Sequence, residues 1–148
     1  MEIIEAHESA ELGQNTVVCG GGLSGADFAL EIADGKRQVT LVEMGDEIAP
    51  GMVVYNRIAL INRSYDAGVN ILTSHAVKKI TDDSVILEGP EGSVTVPADH
   101  AVLPFGVRAN NVMKDASLDK TVIPIGDCVA PSKVSAAIHT GYEAAMSI

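Results

Sequence analysis

Three glycines, Gly20, Gly22 and Gly25, stand in the spacing G-x-G-x-x-G, and 18 residues beyond the last an acid, Glu43, closes an apolar run. That set of residue types suits one kind of chemistry, the holding of an anionic group against bare backbone. Gly20 permits a tight turn, Gly22 has no side chain to keep a pyrophosphate away, and Gly25 lets a helix lie close to a strand. The N–H groups of a helix opening over Gly21, Gly22, Leu23, Ser24 and Gly25 then point at the anion, and the helix dipole adds positive potential. The Ser24 hydroxyl is placed to cap that helix or touch phosphate. Glu43 is the natural acceptor for the hydroxyls of an adenine ribose. A 2′-phosphate would meet like charge there, and Met44-Gly45-Asp46 supplies no Lys or Arg, so the pattern favours NAD(H) over its phosphorylated form. The competing readings are a plain strand-to-helix turn and a solvated strand end.

The elements that must position these residues are legible around them. Asn15–Gly20 is a short apolar run, read as a buried strand. Leu23–Ala33 reads as a helix that Gly35 ends, and Gln38–Glu43 as a second strand rich in β-branched residues. Met52–Ala67 has apolar positions at 53, 54, 58, 61 and 65, close to helical spacing, and Gly68 stops it. Val69–Leu72 is a third strand. The pattern then shortens: 75–80, 85–88 and 94–96 read as a three-stranded antiparallel meander, with turn chemistry at Asp82-Asp83 and Gly89-Pro90-Glu91-Gly92. A strand at 100–104, a loop over 107–120, a strand at 122–125 broken by Gly126-Asp127, and a helix over 133–146 complete the chain. The fold class is α/β, a Rossmann-like βαβαβ unit with an antiparallel meander, followed by a C-terminal strand–helix piece.

Composition narrows the partners. The 148 residues carry twenty acids against ten bases, a net charge of −10, which argues against nucleic acid or an anionic membrane surface as a partner. A −10 chain can still hold an anionic cofactor, because the attraction at a helix N-terminus is local and comes from the backbone. Hydrophobic residues, at 47%, suffice for a core, yet no run approaches the ~20 residues of a membrane span. Met1–Gly13 is an acidic leader without the features of a signal peptide, and a cytoplasmic location is expected. Cys19 and Cys128 form no CxxC and read as packed thiols. The histidines at 7, 75, 100 and 139 show no metal-ligand spacing, and no nucleophile–base order is present, so neither a metal site nor a catalytic residue is expected.

CGGGLSGADFALEIA (19–33), VTLVEMGDEIAPGM (39–52), the meander, AVLPFGVRANN (101–111) and IGDC (125–128) together resemble flavoproteins with two dinucleotide-binding domains. More narrowly, they resemble the C-terminal region of the enoate reductase and 2,4-dienoyl-CoA reductase group of the old yellow enzyme family. The resemblance runs from about Gly13 onward. It implies an acidic leader (1–13), an NAD(H)-binding domain (14–112) and the tail of an FAD domain (113–148). It further implies that the first FAD fingerprint precedes Met1, in a longer protein that also carries a barrel with FMN and a 4Fe-4S cluster. Electrons would run from NAD(P)H through FAD and the cluster to FMN, which reduces an activated carbon–carbon double bond.

Carried over residue by residue, the resemblance assigns Asp27 to a place near the nicotinamide usually held by Glu. Its alternative role is an acid in the first turn of a helix. Gly106 matches a glycine where the chain passes a cofactor, although Arg108-Ala109-Asn110 departs from the usual Arg-x-Pro-Asn. Thr121–Asp127 resembles a second flavin motif in which Asp127, after Gly126, receives a ribitol hydroxyl. The implied partners are NADH, the rest of the FAD domain, the FMN and iron–sulfur barrel, and a possible second copy of the chain. The expectation is a module that positions nicotinamide for hydride transfer to FAD. A non-catalytic adenine-nucleotide-binding domain is the alternative, against which the 121–127 motif weighs.

Overall fold

The structure is a computed structural model that describes residues 12–33, 35–113 and 121–148. The leader residues 1–11 and the loop residues 114–120 lie outside the described residues. The chain forms two compact units that divide between Phe105 and Gly106.

The first unit contains strands β1 (Asn15–Cys19), β2 (Gln38–Val42), β3 (Asn70–Leu72), β4 (Ala76–Ile80), β5 (Ser84–Gly89), β6 (Gly92–Pro97) and β7 (His100–Val102), with helices α1 (Leu23–Ile32) and α2 (Val54–Asp66). Four strands make a parallel sheet in the order β3-β2-β1-β7, and β4-β5-β6 make a separate antiparallel sheet. In the parallel sheet Val17 lies opposite Thr40 on one side and Ala101 on the other. The α/β expectation therefore holds, with the meander inserted between β3 and β7.

A parallel strand covered on both faces reads as a continuous apolar run, because neither face meets water. Val18, Val39 and Leu41 join Phe28, Ala29 and Leu60 in one cluster with the helices. Val17, Cys19 and Val42 join Val85 and Leu87 of the meander in another. The period of two along β1 and β2 thus sends alternate side chains to a helical layer and to the meander. In α1 the buried residues are Gly25, Ala26, Phe28, Ala29 and Ile32, and three of these five are small enough to let the helix approach the sheet closely.

Two expectations need correction. Of the expected apolar positions of α2, Ile61 packs against the core, but the others do not form its buried face. Leu60 and Ser64 are buried, the serine donating to the Leu60 carbonyl at 2.9 Å, whereas Val54, Ile58 and Tyr65 are half exposed or more. An apolar stripe gives a helix a sticky face, but the crossing of α2 over α1 selects which face is covered. The expected strand at 122–125 makes no ladder. These residues pair with no described strand, and strand geometry requires a neighbour to accept its N–H groups.

The second unit holds a 3-10 turn at Gly126–Cys128 and helix α3 (Val134–Met146). Neither element has a buried residue. Val134, Ile138 and Tyr142, at i, i+4 and i+8, all face solvent.

Cys19 is buried, and burial pushes its thiol up to about 11. The folded chain therefore keeps a proton that the unfolded chain releases as pH passes about 9. Stability should fall as pH rises from about 9 to about 11. Denaturant titrations across that range should show a steeper alkaline loss in the wild-type chain than in Cys19→Ala.

Candidate functional site

The glycine turn lies at the carboxyl edge of the parallel sheet, where β1 gives way to α1. Gly20 has φ +145°, a conformation that side chains disfavour, and its N–H donates to the Val42 carbonyl at 2.8 Å. At Gly25 a Cβ would run into the Gly20 carbonyl oxygen and come within 2.9 Å of Pro104 Cγ. Helix and strand end are thus in backbone contact. At Gly22 a Cβ would meet nothing within 4 Å. Gly22 is also the N-cap of α1, with φ −62° and ψ 178°, and no side chain caps the helix. The first-turn N–H groups are left to water or to an anion. Ser24 is exposed and does not cap the helix, because it lies inside the first turn rather than before it. Leu23 is half exposed. Asp27 is the fifth residue of α1, outside the first turn, and exposed, so the alternative of a first-turn acid does not apply.

Glu43 sits where β2 ends. One carboxylate oxygen accepts the Gly21 N–H at 2.7 Å and the other the Gly45 N–H at 2.8 Å. Each oxygen retains a lone pair, so the clamp fixes the carboxylate without exhausting its capacity for hydroxyl donors. The loop that follows folds back onto the turn: the Ala49 N–H donates to the Gly21 carbonyl at 2.7 Å, and a Cβ on Gly21 would fall 2.5 Å from Ile48 Cδ1. Gly21 is therefore required by packing, although it lies outside the three spaced glycines. Arg57 of α2 pairs with Glu47 of this loop.

A cavity of about 290 Å³ opens beside the turn, lined among others by Cys19, Gly20, Glu43, Met44, His75 and Phe105. Pro104, Ile48 and His75 escaped sequence reasoning. Proline and isoleucine carry no chemical signature, and His75 lacked any motif partner. Only the proximity of β7, of the 44–51 loop and of the β3–β4 connection brings them in. Cys19, with its thiol protonated at neutral pH, is a packed residue as expected.

The remaining assigned residues belong to the second unit. Gly106 has φ +79° and Gly126 φ +63°, both left-handed conformations that favour glycine. The Gly126 N–H donates to Thr140 Oγ1 at 3.1 Å, and Asp127 Oδ1 accepts the Ser132 N–H at 3.2 Å. Asp127 is exposed, and with Val107, Arg108, Asn110, Cys128 and Pro131 it lines a second cavity of about 280 Å³. The N-terminus of α3 also lacks a side-chain cap. No group of three or more His, Cys, Asp or Glu residues suited to a metal occurs among the described residues. No helix among them is long and apolar enough to cross a membrane.

A glycine turn at the carboxyl edge of a parallel sheet, followed by a helix with a bare N-terminus and an acid on the next strand, defines a dinucleotide-binding fold. Residues 2–126 match the family described as pyridine nucleotide-disulphide oxidoreductase, and the chain belongs to that family. It is an NAD(P)H- and FAD-type oxidoreductase domain, without the CxxC pair of disulphide chemistry. The chain is 38% identical over 142 residues to a bilirubin reductase of Mediterraneibacter gnavus (strain CC55_001C), covering 94% of this chain and 22% of that protein. It is 28% identical over 153 residues to an NADH oxidase of Thermoanaerobacter brockii, covering 99% of this chain and 23% of that protein. The solved structure of a 2-naphthoyl-CoA reductase with 2-naphthoyl-CoA superposes with a TM-score of 0.82 at 27% identity, covering 96% of this chain and 22% of that one. The chain thus spans about a fifth of the length of these relatives.

The two glycines differ sharply in what a side chain would do. Gly25→Ala should destabilise the fold by about 1–3 kcal/mol or more, since backbone must move to admit the methyl group. Gly22→Val should leave the thermal midpoint nearly unchanged, since a side chain there meets nothing, and should weaken NADH binding at least ~100-fold if a pyrophosphate approaches this turn. Thermal denaturation and calorimetric titration of both variants separate the two effects.

Proposed function

We propose that this chain is the NADH-binding part of an enoate reductase- or dienoyl-CoA reductase-like flavoprotein, holding nicotinamide for hydride transfer to FAD. The observation that carries the reading is the combination of an open approach at Gly22, an uncapped α1 N-terminus and a clamped Glu43 carboxylate at one strand edge. A dinucleotide fits that set. Gly20, Gly21, Gly22, Leu23, Ser24 and Gly25 form the cradle for its pyrophosphate, and Glu43 accepts from the adenine-ribose hydroxyls. Asp27, on the exposed side of α1, is the acid assigned to the nicotinamide end.

For FAD, Asp127 offers an exposed carboxylate, the bare N-terminus of α3 offers donors, and Gly106 and Gly126 shape the chain around them. When bound, NADH supplies a hydride that FAD accepts, and the protein's part is orientation and exclusion of water. No residue of this chain is required as a general acid or base. Relatives named bilirubin reductase and 2-naphthoyl-CoA reductase, both far longer than this chain, support a longer reductase as the parent. In that parent, FMN and a 4Fe-4S cluster lie in a barrel outside these residues, and the rest of the FAD domain covers the exposed face of α3. Residues 14–112 and 113–148 are the corresponding domain parts.

The Glu43 carboxylate is held beside the turn by two N–H groups, and the nearest arginine of the following loop and helix is already paired with Glu47. A 2′-phosphate would therefore meet the negative charge of Glu43. Calorimetry should show NADH bound tighter than NADPH, with the gap narrowed in Glu43→Ala; tighter binding of NADPH would sink the NADH assignment.

The flavin half-site predicts a separate outcome. One carboxylate and one helix terminus, each worth about 0.5–3 kcal/mol, do not offset the several kcal/mol of ordering a large cofactor from solution. The purified chain should be colourless and should not oxidise NADH with a dye acceptor. A stoichiometric flavin band in its visible spectrum would place a complete flavin site within these 148 residues.

A further inference from the structure

We infer that His75 reads the purine of the bound dinucleotide and selects adenine through its 6-amino group. The inference rests on the dinucleotide reading above and adds a specificity residue to it.

The connection between β3 and β4 is fastened to the end of β2 by three backbone hydrogen bonds. The Glu43 N–H donates to the Leu72 carbonyl at 2.8 Å, the Ser74 N–H to the Gly45 carbonyl at 2.7 Å and the His75 N–H to the Glu43 carbonyl at 2.9 Å. Ser74 takes φ +56° to make this turn, an uncommon conformation for a residue with a side chain. The result is that His75 stands beside the acid assigned to the adenine ribose, on the wall of the same 290 Å³ cavity.

The ring is oriented as well as placed. His75 Nδ1 lies 2.6 Å from the Thr73 carbonyl oxygen, which can only accept, so Nδ1 carries the proton and donates. In the neutral imidazole Nε2 is then a bare acceptor. It has no protein partner among the described residues. The ring packs on Gly89 of β5, for a Cβ there would overlap Nε2 and Cδ2. Met44, Ala76 and Val77 supply apolar walls for a flat base around it. A single fixed acceptor next to an apolar slot recognises a ring that carries a donor. The 6-amino group of adenine is such a donor, and the 6-oxo group of hypoxanthine is an acceptor that would face the Nε2 lone pair.

The probes are NADH and its hypoxanthine analogue, which differ only at this edge of the base. The wild-type chain should bind NADH roughly tenfold more tightly than the analogue, the size of one recognised hydrogen bond. His75→Phe, which keeps a flat wall and removes the acceptor, should bind the two equally. A purely structural role for His75 would weaken both ligands together and leave their ratio unchanged. Equal binding of the two by the wild-type chain, or a ratio kept in His75→Phe, overturns this inference and leaves the dinucleotide reading standing. Failure of the wild-type chain to bind either ligand overturns both. Should His75→Phe not fold, the imidazole 15N resonances of His75 in the wild-type chain decide: Nε2 should shift with NADH and not with the analogue, and an Nε2 signal unmoved by NADH overturns the assignment.

Discussion

The backbone contact between the first turn of α1 and the end of β1 is the constraint on which the site depends. No side chain fits at Gly25, because the Gly20 carbonyl and Pro104 occupy the place of its Cβ. This contact aims the N-terminus of α1 along the carboxyl edge of the sheet. It also explains the small residues further along the helix: Ala26 and Ala29 continue the close approach, and Phe28 is buried in one cluster with Leu60 of α2. Pro104, which arrives from the end of β7, completes the seat. The inserted meander thus matters to the turn, since β7 can lie beside β1 only after the chain has crossed the sheet and returned.

A second dependency runs through Glu43. Its carboxylate, proposed above as a recognition group, is also a fastener, accepting from Gly21 in the turn and from Gly45 in the following loop. The same loop presses Ile48 against Gly21 and donates the Ala49 N–H to its carbonyl. Its far side is joined through Gly45 and Glu43 to Ser74 and His75. The cavity beside the turn is therefore held by hydrogen bonds that connect three strand ends. Charge-assisted bonds from backbone N–H groups to a carboxylate are among the stronger ones available, and they orient the acid before any ligand arrives.

The second unit follows a different logic. It has local order: a 3-10 turn held by Thr140 and Asp127, and a helix of thirteen residues. It lacks a buried core of its own among the described residues, with Val134, Ile138 and Tyr142 all exposed. Short-range hydrogen bonds shape such a segment, whereas burial against other chain makes it stable. The relatives, more than four times as long as this chain, have the additional polypeptide that such a face calls for.

What the amino-acid order determined by itself is the local grammar. The glycine spacing, the β-branched runs at 15–19 and 38–42, the acid after the second run and the turn residues of the meander are each short-range signals, set by sterics and by alternation with a period of two. They sufficed for the parallel unit, for the meander and for most of the turn. The tertiary structure decided whatever depends on which surfaces meet. It buried Leu60 and Ser64 of α2 and left Val54, Ile58 and Tyr65 exposed, because the crossing with α1 selects a face that periodicity alone leaves open. It left 122–125 without a ladder, because a strand exists only beside a partner. It packed Ile48 and the Glu43 side chain against Gly21, clamped Glu43 to the backbone, and turned His75 from an unassigned histidine into a wall of the cavity. Several of those outcomes join residues well separated in sequence, Gly21 and Glu43 being 22 positions apart, and no local pattern of residue types encodes which of them will touch.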